Sequence, residues 1–266
     1  MISASRIREA FKTKAFIGFL TGGDPSIEDT RRYVNMLVDC GVNLVEIGVP
    51  FSDPVAEGPS IQASSARALA SGTTLAKLLD LVETLRREDL RTVPLVLMTY
   101  LNPVHHYGYE QFFADAARVG VDGVIIPDLP FEEHCEVREI AGGAGVCLIS
   151  MIAPTSMDRT QMIARQGEGF IYLVSSLGVT GERSSITTDI AGIISHIREV
   201  TDVPVAVGFG ISNPEQVREL SAHADGVIVG SAIVNIIAGQ DSDTDHRLTQ
   251  YVTDMVNALR CPMNPQ

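Results

Sequence analysis

The sequence predicts a (β/α)8 barrel, and two observations indicate this fold. Short apolar runs rich in β-branched residues alternate with stretches of helical periodicity, and eight such runs occur along the 266 residues. Strands that alternate with helices form parallel sheets, and eight repeats in about 250 residues are typical of a closed barrel. No shift in composition divides the chain. We therefore expect a single barrel domain over residues 1–266, with a short extra N-terminal helix over 3–11.

Each predicted strand is one apolar run followed by a helical pattern. The eight runs are 15–20, 43–49, 94–100, 122–127, 145–152, 169–175, 203–208 and 225–230. The clearest helical patterns are 28–40, 75–86, 109–119, 132–141 and 189–200. A doubly wound open sheet would alternate in the same way, but its Gly-x-Gly-x-x-Gly fingerprint is missing after the first run, where Thr-Gly-Gly-Asp-Pro stands. The closed barrel is therefore preferred.

Composition excludes several classes of protein and partner. The formal net charge of -13 disfavours nucleic acid and anionic membranes, since both require a basic surface. No apolar run approaches the roughly 20 residues that cross a bilayer, and the N-terminus lacks a signal-peptide core, so we expect a cytoplasmic protein. The four cysteines form no Cys-x-x-Cys pair and the six histidines no metal-binding pattern, so neither disulfides nor a metal site is expected.

The second strand and the loop after it carry three carboxylates. Glu46 lies inside the apolar run, and Asp53 and Glu57 follow in a proline-rich loop. Residues alternate between the two faces of a strand, so Glu46 shares a face with Leu44 and Gly48. If that face is the barrel interior, burial favours the protonated form of Glu46, which suits an acid–base catalyst. A buried acid fixed by a salt bridge is the equal alternative from the residues alone.

Glycines after the seventh and eighth strands form a second group of candidate residues. The segment Gly208-Phe-Gly-Ile-Ser212 precedes an Asn-Pro pair that suits a helix start, and Gly230-Ser231 opens another helix. Glycine lets the backbone approach an anion closely, and the free amides of a helix N-terminus attract negative charge. Barrels of this kind often bind phosphate after strands seven and eight. The two glycine turns are therefore predicted to form a phosphate site.

Aromatic residues at strand ends and one long loop complete the site prediction. Phe19, Tyr100, Tyr172 and Phe209 are placed to line the pocket of an aromatic substrate, although a single aromatic at such a position is more often core. The polar stretch 176–185 after the sixth strand is a candidate mobile lid. A tolerated surface loop is an equal alternative for that stretch.

The longest motif resembles the signature of the tryptophan synthase α subunit. It reads Val-Glu-Ile-Gly-Val-Pro-Phe-Ser-Asp-Pro-Val-Ala-Glu-Gly-Pro-Ser-Ile-Gln over residues 45–62. The likeness continues in Phe-Leu-Thr-Gly-Gly-Asp-Pro, Leu-Met-Thr-Tyr-Leu-Asn-Pro, Ile-Pro-Asp-Leu-Pro-Phe-Glu-Glu and Val-Gly-Phe-Gly-Ile-Ser. It covers essentially the whole chain. The resemblance implies a carbon–carbon lyase that cleaves indole-3-glycerol phosphate into indole and glyceraldehyde 3-phosphate.

The resemblance also implies a role for each matching residue. Glu46 matches the acid–base glutamate, and Glu57 stands where the family usually has an aspartate that binds the indole N–H. The extra methylene of Glu57 could carry its carboxylate past the indole nitrogen, and about 1 Å of misplacement can cost ~100-fold in rate. The remaining positions match family residues of two kinds: the substrate contacts Phe19, Tyr100, Tyr172, Thr180 and Phe209, and the phosphate donors Gly181, Gly210, Gly230 and Ser231.

A partner chain is a further implication of the resemblance. The family's α subunit joins a β subunit in an α2β2 complex and passes indole to it. Pyridoxal phosphate belongs to that β subunit, so no cofactor is expected in this chain. The resemblance places the contact at Asp53-Pro54, at Asn102-Pro103 and at the 176–185 loop. Two alternatives stay open: a sugar-phosphate isomerase or synthase on the same barrel, and a poorly active phosphate-binding allosteric partner of a β subunit.

Overall fold

The structure is a computed structural model that describes residues 2–90, 92–175, 189–208 and 210–260. Every predicted strand is present in it, within about two residues of the predicted bounds. The strands are β1 Ala15–Thr21, β2 Leu44–Gly48, β3 Leu95–Met98, β4 Gly123–Ile125, β5 Cys147–Leu148, β6 Ser150–Ile152, β7 Ile171–Val174, β8 Val205–Gly208 and β9 Gly226–Val229. The predicted fifth strand is divided at Ile149 into β5 and β6.

The strands form one parallel sheet that returns to its starting point. Its order is β5-β4-β3-β2-β1-β9-β8-β7-β6, and all eight pairings are parallel. The two outermost segments, β5 and β6, are consecutive pieces of one stretch of chain. The sheet is therefore an eight-position (β/α)8 barrel, as the alternation of strands and helices predicted.

Helices surround the barrel. They are α1 Ile2–Ala10, α2 Ile27–Asp39, α3 Pro59–Ala70, α4 Leu75–Thr84, α5 Leu101–Tyr107, α6 Tyr109–Val119, α7 His134–Ala144, α8 Met157–Ala164, α9 Ile190–Arg198, α10 Pro214–Ser221, α11 Ser231–Ile237 and α12 Thr244–Arg260. A π turn over Leu85–Asp89 extends α4, and a 3-10 turn over Phe131–Glu133 precedes α7. The predicted Asn213 cap is confirmed, since its side chain accepts the Gln216 N–H at the start of α10.

Two hydrophobic cores lie on the two faces of the sheet. The larger core packs the outward residues of the strands against the helices, for example Val45 and Ile47 against the face of α2 that carries Leu37. The smaller core includes Ile17, Phe19 and Leu44 from the opposite strand face, and it fills the inside of the barrel. Glu46 shares the strand face of Leu44 and is 1 % exposed. The sequence placed Glu46 on the face of Leu44 and Gly48, and the structure shows that this face is the barrel interior.

Helix α1 closes the end of the barrel where the strands begin. Ile7 is fully buried within the interior core, and the ring of Phe11 lies 5.5 Å from that of Phe170. Arg6 donates to Asp122 Oδ1 at 2.7 Å, and Asp122, fully buried just before β4, also pairs with Arg86. With that end covered, the strand carboxyl ends form the mouth that is left for a site.

Candidate active site

Glu46 is an unpaired acid inside an apolar barrel. Strand β2 places it beside Phe19 of β1 and Val96 of β3 in the ladder register. Neither carboxylate oxygen has a hydrogen-bond partner within the described residues. Burial without a compensating charge raises the pKa of Glu46 to about 8 from an ordinary value of 4.5. The salt-bridged alternative finds no support in the described part of the chain, and Glu46 carries its proton at neutral pH.

Tyr172 faces Glu46 across the barrel interior. It lies on β7, is 5 % exposed, and has a pKa raised well above its ordinary value, first by burial and then by the charge of Glu46. A side chain at Gly208 of the neighbouring β8 would place its Cβ 2.5 Å from the Tyr172 hydroxyl oxygen. Gly208 therefore leaves the space that the phenol occupies.

The ring of Phe19 lies across the top of the interior. A Cβ built at Gly48 of β2 would lie 2.6 Å from Phe19 Cζ, and one built at Gly230 would lie 3.0 Å from Phe19 Cδ1. Real Cβ atoms essentially never approach as closely as at Gly48, and the contact at Gly230 would be unusually tight, so the ring position requires Gly48 and is favoured by Gly230. The ring is 7 % exposed and supplies a flat apolar wall below the mouth.

Glu57 reaches the mouth from the loop after β2. Its carboxylate accepts the hydroxyl proton of Tyr100, and its main-chain oxygen accepts from Gln62 Nε2 at 2.7 Å. Burial raises the pKa of Glu57, whereas the Tyr100 hydrogen bond lowers it; burial is the larger effect. A carboxylate therefore stands at the rim of the mouth with one oxygen already bound.

Backbone groups of two turns face the same space. Gly210 follows β8 with a φ of +79°, in the left-handed region that favours glycine, and Ser231 is the first residue of α11 after Gly230. Two glycine turns with free amides at adjacent strand ends can hold an anion without a basic side chain. This arrangement suits a protein with a net charge of -13.

A single pocket brings most of the predicted residues together. It encloses about 550 Å³ of empty space, counting its open mouth. Its lining residues are Phe19, Glu46, Ala56, Glu57, Ile61, Met98, Tyr172, Gly210, Ile211, Ile228, Gly230 and Ser231. The sequence patterns did not predict the aliphatic residues of this lining, Ile61, Met98, Ile211 and Ile228. Alternation along β3 and β9 could have found Met98 and Ile228, because they share the inward face of their strands.

Tyr100 does not line the pocket itself. It is 3 % exposed and is not among the described residues that line the cavity; it lies behind Glu57 instead. Three predicted site residues, Thr180, Gly181 and Phe209, lie outside the described residues, as does the whole of the predicted 176–185 lid. Their roles stay predictions.

No described helix is long and apolar enough to cross a membrane. Within the described ranges, no group of three His, Cys, Asp or Glu side chains could hold a metal ion. The three described cysteines, Cys40, Cys135 and Cys147, are free.

The fold and the pocket define a class: a (β/α)8-barrel protein with a buried acid and two glycine turns lining the pocket at its mouth. A family model described as tryptophan synthase alpha chain matches residues 6–260. Among curated relatives, the tryptophan synthase alpha chain of Geobacter sulfurreducens is 47% identical over 248 residues, covering 93% of this chain and 92% of its own. That of Lactiplantibacillus plantarum is 50% identical over 247 residues, covering 92% of each chain.

Solved structures agree with the sequence matches. The tryptophan synthase alpha chain of Legionella pneumophila superposes with a TM-score of 0.86 at 32% identity, covering 98% of each chain. A chain from the tryptophan synthase α2β2 complex of Pyrococcus furiosus has a TM-score of 0.83 at 35% identity, covering 92% of this chain and 98% of its own. This chain therefore belongs to the tryptophan synthase alpha chain family, and its activity is that of a carbon–carbon lyase subunit in tryptophan biosynthesis.

Proposed function

We propose that this chain cleaves indole-3-glycerol phosphate into indole and glyceraldehyde 3-phosphate in a retro-aldol reaction. The observation that carries the proposal is Glu46, a buried acid with no partner among the described residues, at the wall of a pocket with aromatic and glycine-lined sides. The aromatic side suits an indole ring, and the glycine turns suit a phosphate. The two sides flank the acid, so the bond to be broken would lie against it.

The proposed reaction needs two proton transfers and no outside reactant. Glu46 donates its proton to the indole carbon that bears the side chain, and the adjacent hydroxyl of the glycerol chain then loses its proton to the Glu46 carboxylate. The carbon–carbon bond breaks as the carbonyl of glyceraldehyde 3-phosphate forms, and Glu46 ends protonated as it began. A pKa of about 8 makes donation and acceptance comparably easy near neutral pH.

The other pocket residues would position the substrate and stabilise charge. Glu57 would accept the indole N–H as positive charge develops on the ring, and Phe19 and Tyr172 would pack against the indole. The amides near Gly210, Gly230 and Ser231 would hold the phosphate. Thr180, Gly181 and Phe209 complete the proposed site as further contacts, on the strength of the family motif alone.

A β subunit is the proposed partner, in an α2β2 complex that receives the indole, and the cytoplasm is the proposed location. Support comes from the α2β2 complex named for the Pyrococcus furiosus relative. It also comes from the loop after β2, where Val55 is 72% exposed beside Asp53-Pro54. Pyridoxal phosphate would belong to that partner.

The test is steady-state formation of indole from indole-3-glycerol phosphate by the purified chain, with and without a β subunit. We expect slow cleavage that rises with the partner, and a loss of at least about 1,000-fold in Glu46→Gln, since the amide has no proton to transfer. Glu28→Gln makes the same substitution at an exposed position of α2. It is the matched control and should keep full activity. Substrate binding without cleavage by the wild type would refute the lyase proposal and favour the allosteric-partner alternative.

A further inference from the structure

Among the described residues, the hydroxyl group of Tyr100 has three partners, and all three belong to the loop that follows β2. Its oxygen accepts the main-chain N–H of Val55 at 3.1 Å and that of Ala56 at 3.0 Å. The third partner is the carboxylate of Glu57. Three consecutive loop residues therefore converge on one phenol oxygen that is itself buried.

These contacts determine where the hydroxyl proton lies. A tyrosine hydroxyl has one proton to donate and two lone pairs that accept. The two amides can only donate, so they occupy both lone pairs. The proton then points to Glu57, whose carboxyl oxygen accepts it. The hydrogen-bonding capacity of Tyr100 is fully used.

Both ends of Glu57 are consequently held. Its main-chain oxygen accepts from Gln62 of α3 at 2.7 Å, and its carboxylate is bound by Tyr100. The Tyr100 ring is held in turn by the Phe51 ring, with centroids 5.2 Å apart. A glutamate side chain has one more rotatable bond than an aspartate, and these contacts remove that freedom.

We propose that Tyr100 is the positioning residue for Glu57: it binds carboxylate oxygen Oε2 and so holds the carboxylate at the pocket wall, where it accepts the indole N–H. This inference rests on the proposed lyase function. In this arrangement the Glu57 side chain bends back toward the Tyr100 hydroxyl behind it. The extra methylene therefore does not carry the carboxylate past the indole nitrogen. Tyr100 and Glu57 thus act as a matched pair, and Tyr100 acts through Glu57 rather than by touching the substrate.

The experiment is a double-mutant cycle on indole-3-glycerol phosphate cleavage with Tyr100→Phe, Glu57→Ala and the double variant. We expect Tyr100→Phe to lower kcat by about 10-fold or more with little change in KM, since a misplaced carboxylate costs rate. In the Glu57→Ala background the same change should cost less than about 2-fold. Tyr107→Phe, which removes a 3.0 Å tyrosine bond to Asp115 on the outer surface, is the matched control and should leave kcat unchanged.

The cycle separates positioning from simple support of the loop. If Tyr100 only holds the loop through the two amides, Tyr100→Phe will cost as much in the Glu57→Ala background as in the wild type, and the inference is wrong. Glu57→Asp gives a second measurement that leaves Tyr100 in place. The shorter side chain no longer reaches the Tyr100 hydroxyl, so kcat should fall by a factor similar to that of Tyr100→Phe. Full activity in Glu57→Asp would also overturn the inference.

The two failures are distinguishable. A wild-type chain that forms no indole would refute the proposed function and with it this inference. A wild-type chain that cleaves the substrate, together with a fully active Tyr100→Phe variant, would refute the inference alone. Circular dichroism and competition by inorganic phosphate should show that each variant is folded with its anion site intact.

Discussion

Burial of a single carboxyl group determines the chemistry available at this site. Glu46 lies among apolar interior side chains, and neither of its oxygens is hydrogen-bonded within the described residues. An ionised carboxylate there would lose its hydration without gaining a partner, which costs several kcal/mol in ordinary proteins. The group stays protonated instead, and its stored proton is available for transfer.

The raised pKa of Glu46 predicts how stability depends on pH. Below pH 4.5 the group is protonated in both the folded and the unfolded chain, so it has no effect. Between 4.5 and about 8 the unfolded chain releases a proton that the folded chain keeps, so folding becomes less favourable as pH rises. Above pH 8 both states have lost this proton, and the folded chain carries the full free-energy cost of a buried, ionised Glu46.

Glu46→Gln should remove this dependence. We expect the free energy of unfolding of the variant, relative to wild type, to increase by about 3 kcal/mol between pH 5 and pH 8. Urea unfolding at several pH values in that range measures the difference. Glu28→Gln should follow the wild-type profile, because that side chain is exposed. A Glu46→Gln profile parallel to wild type would show that Glu46 titrates normally in the folded chain.

At the scale of single elements, the two ends of the barrel have separate tasks. Helix α1 fills the end where the strands begin, with Ile7 in the interior core and Arg6 on the buried Asp122. The loops after the strands build the pocket at the other end. Damage to α1 should therefore lower stability without changing chemistry at Glu46.

Ile7→Ala tests this division. Removing a fully buried isoleucine side chain leaves a cavity and should lower the free energy of unfolding by about 2–4 kcal/mol. The kcat for indole formation, measured at a temperature where the variant is folded, should stay within about 2-fold of wild type. Val55→Ala, at a side chain 72% exposed, is the stability control and should change the unfolding energy by less than about 0.5 kcal/mol. A large fall in kcat for Ile7→Ala would mean that the two ends are coupled.

At the scale of the whole molecule, closure of the sheet brings distant segments together. Phe19 of β1, Glu46 of β2, Tyr172 of β7 and Gly230 after β9 line one pocket although some 200 residues of sequence separate the outermost two. The exposed loop after β2 lies at the rim of the same pocket. A partner that docks on this rim would contact the loop that carries Glu57, which gives the proposed β subunit a direct physical route to the pocket.

Asp53→Lys tests the proposed partner face. Asp53 is exposed and is not among the residues that line the pocket. The substitution therefore reverses a surface charge and leaves the pocket lining unchanged. We expect cleavage by the isolated chain to be unchanged and stimulation by a β subunit to fall about 10-fold or more, because an interfacial charge reversal opposes docking. Titration of indole formation with the β subunit measures this effect. Asp80→Lys on the outer surface of α4 is the matched control, and an equal loss there would point to net charge rather than to a docking face.

Much of the fold and part of the site could be predicted from local patterns. The eight apolar runs correspond to the barrel strands because strands buried on both faces require continuous apolar sequence. The two-residue period of β2 placed Glu46 on the face of Leu44 and Gly48, but both faces of this strand are buried, so the structure was needed to show which face is the interior. The relation of Glu57 to Tyr100 was not predictable, since the two residues lie 43 positions apart and meet through a loop without periodicity.

Alternation of strand faces, glycines at strand ends and a carboxyl group within an apolar run are local properties. The order of residues alone therefore determined the barrel, the strand face that Glu46 shares with Leu44, and the position of the two glycine turns. The proton on Glu46 and the direction of the Glu57 carboxylate were decided only by the tertiary structure. Desolvation at Glu46 is the sum of contributions from every strand that surrounds it, and a hydrogen bond between two loops exists only once the sheet has closed.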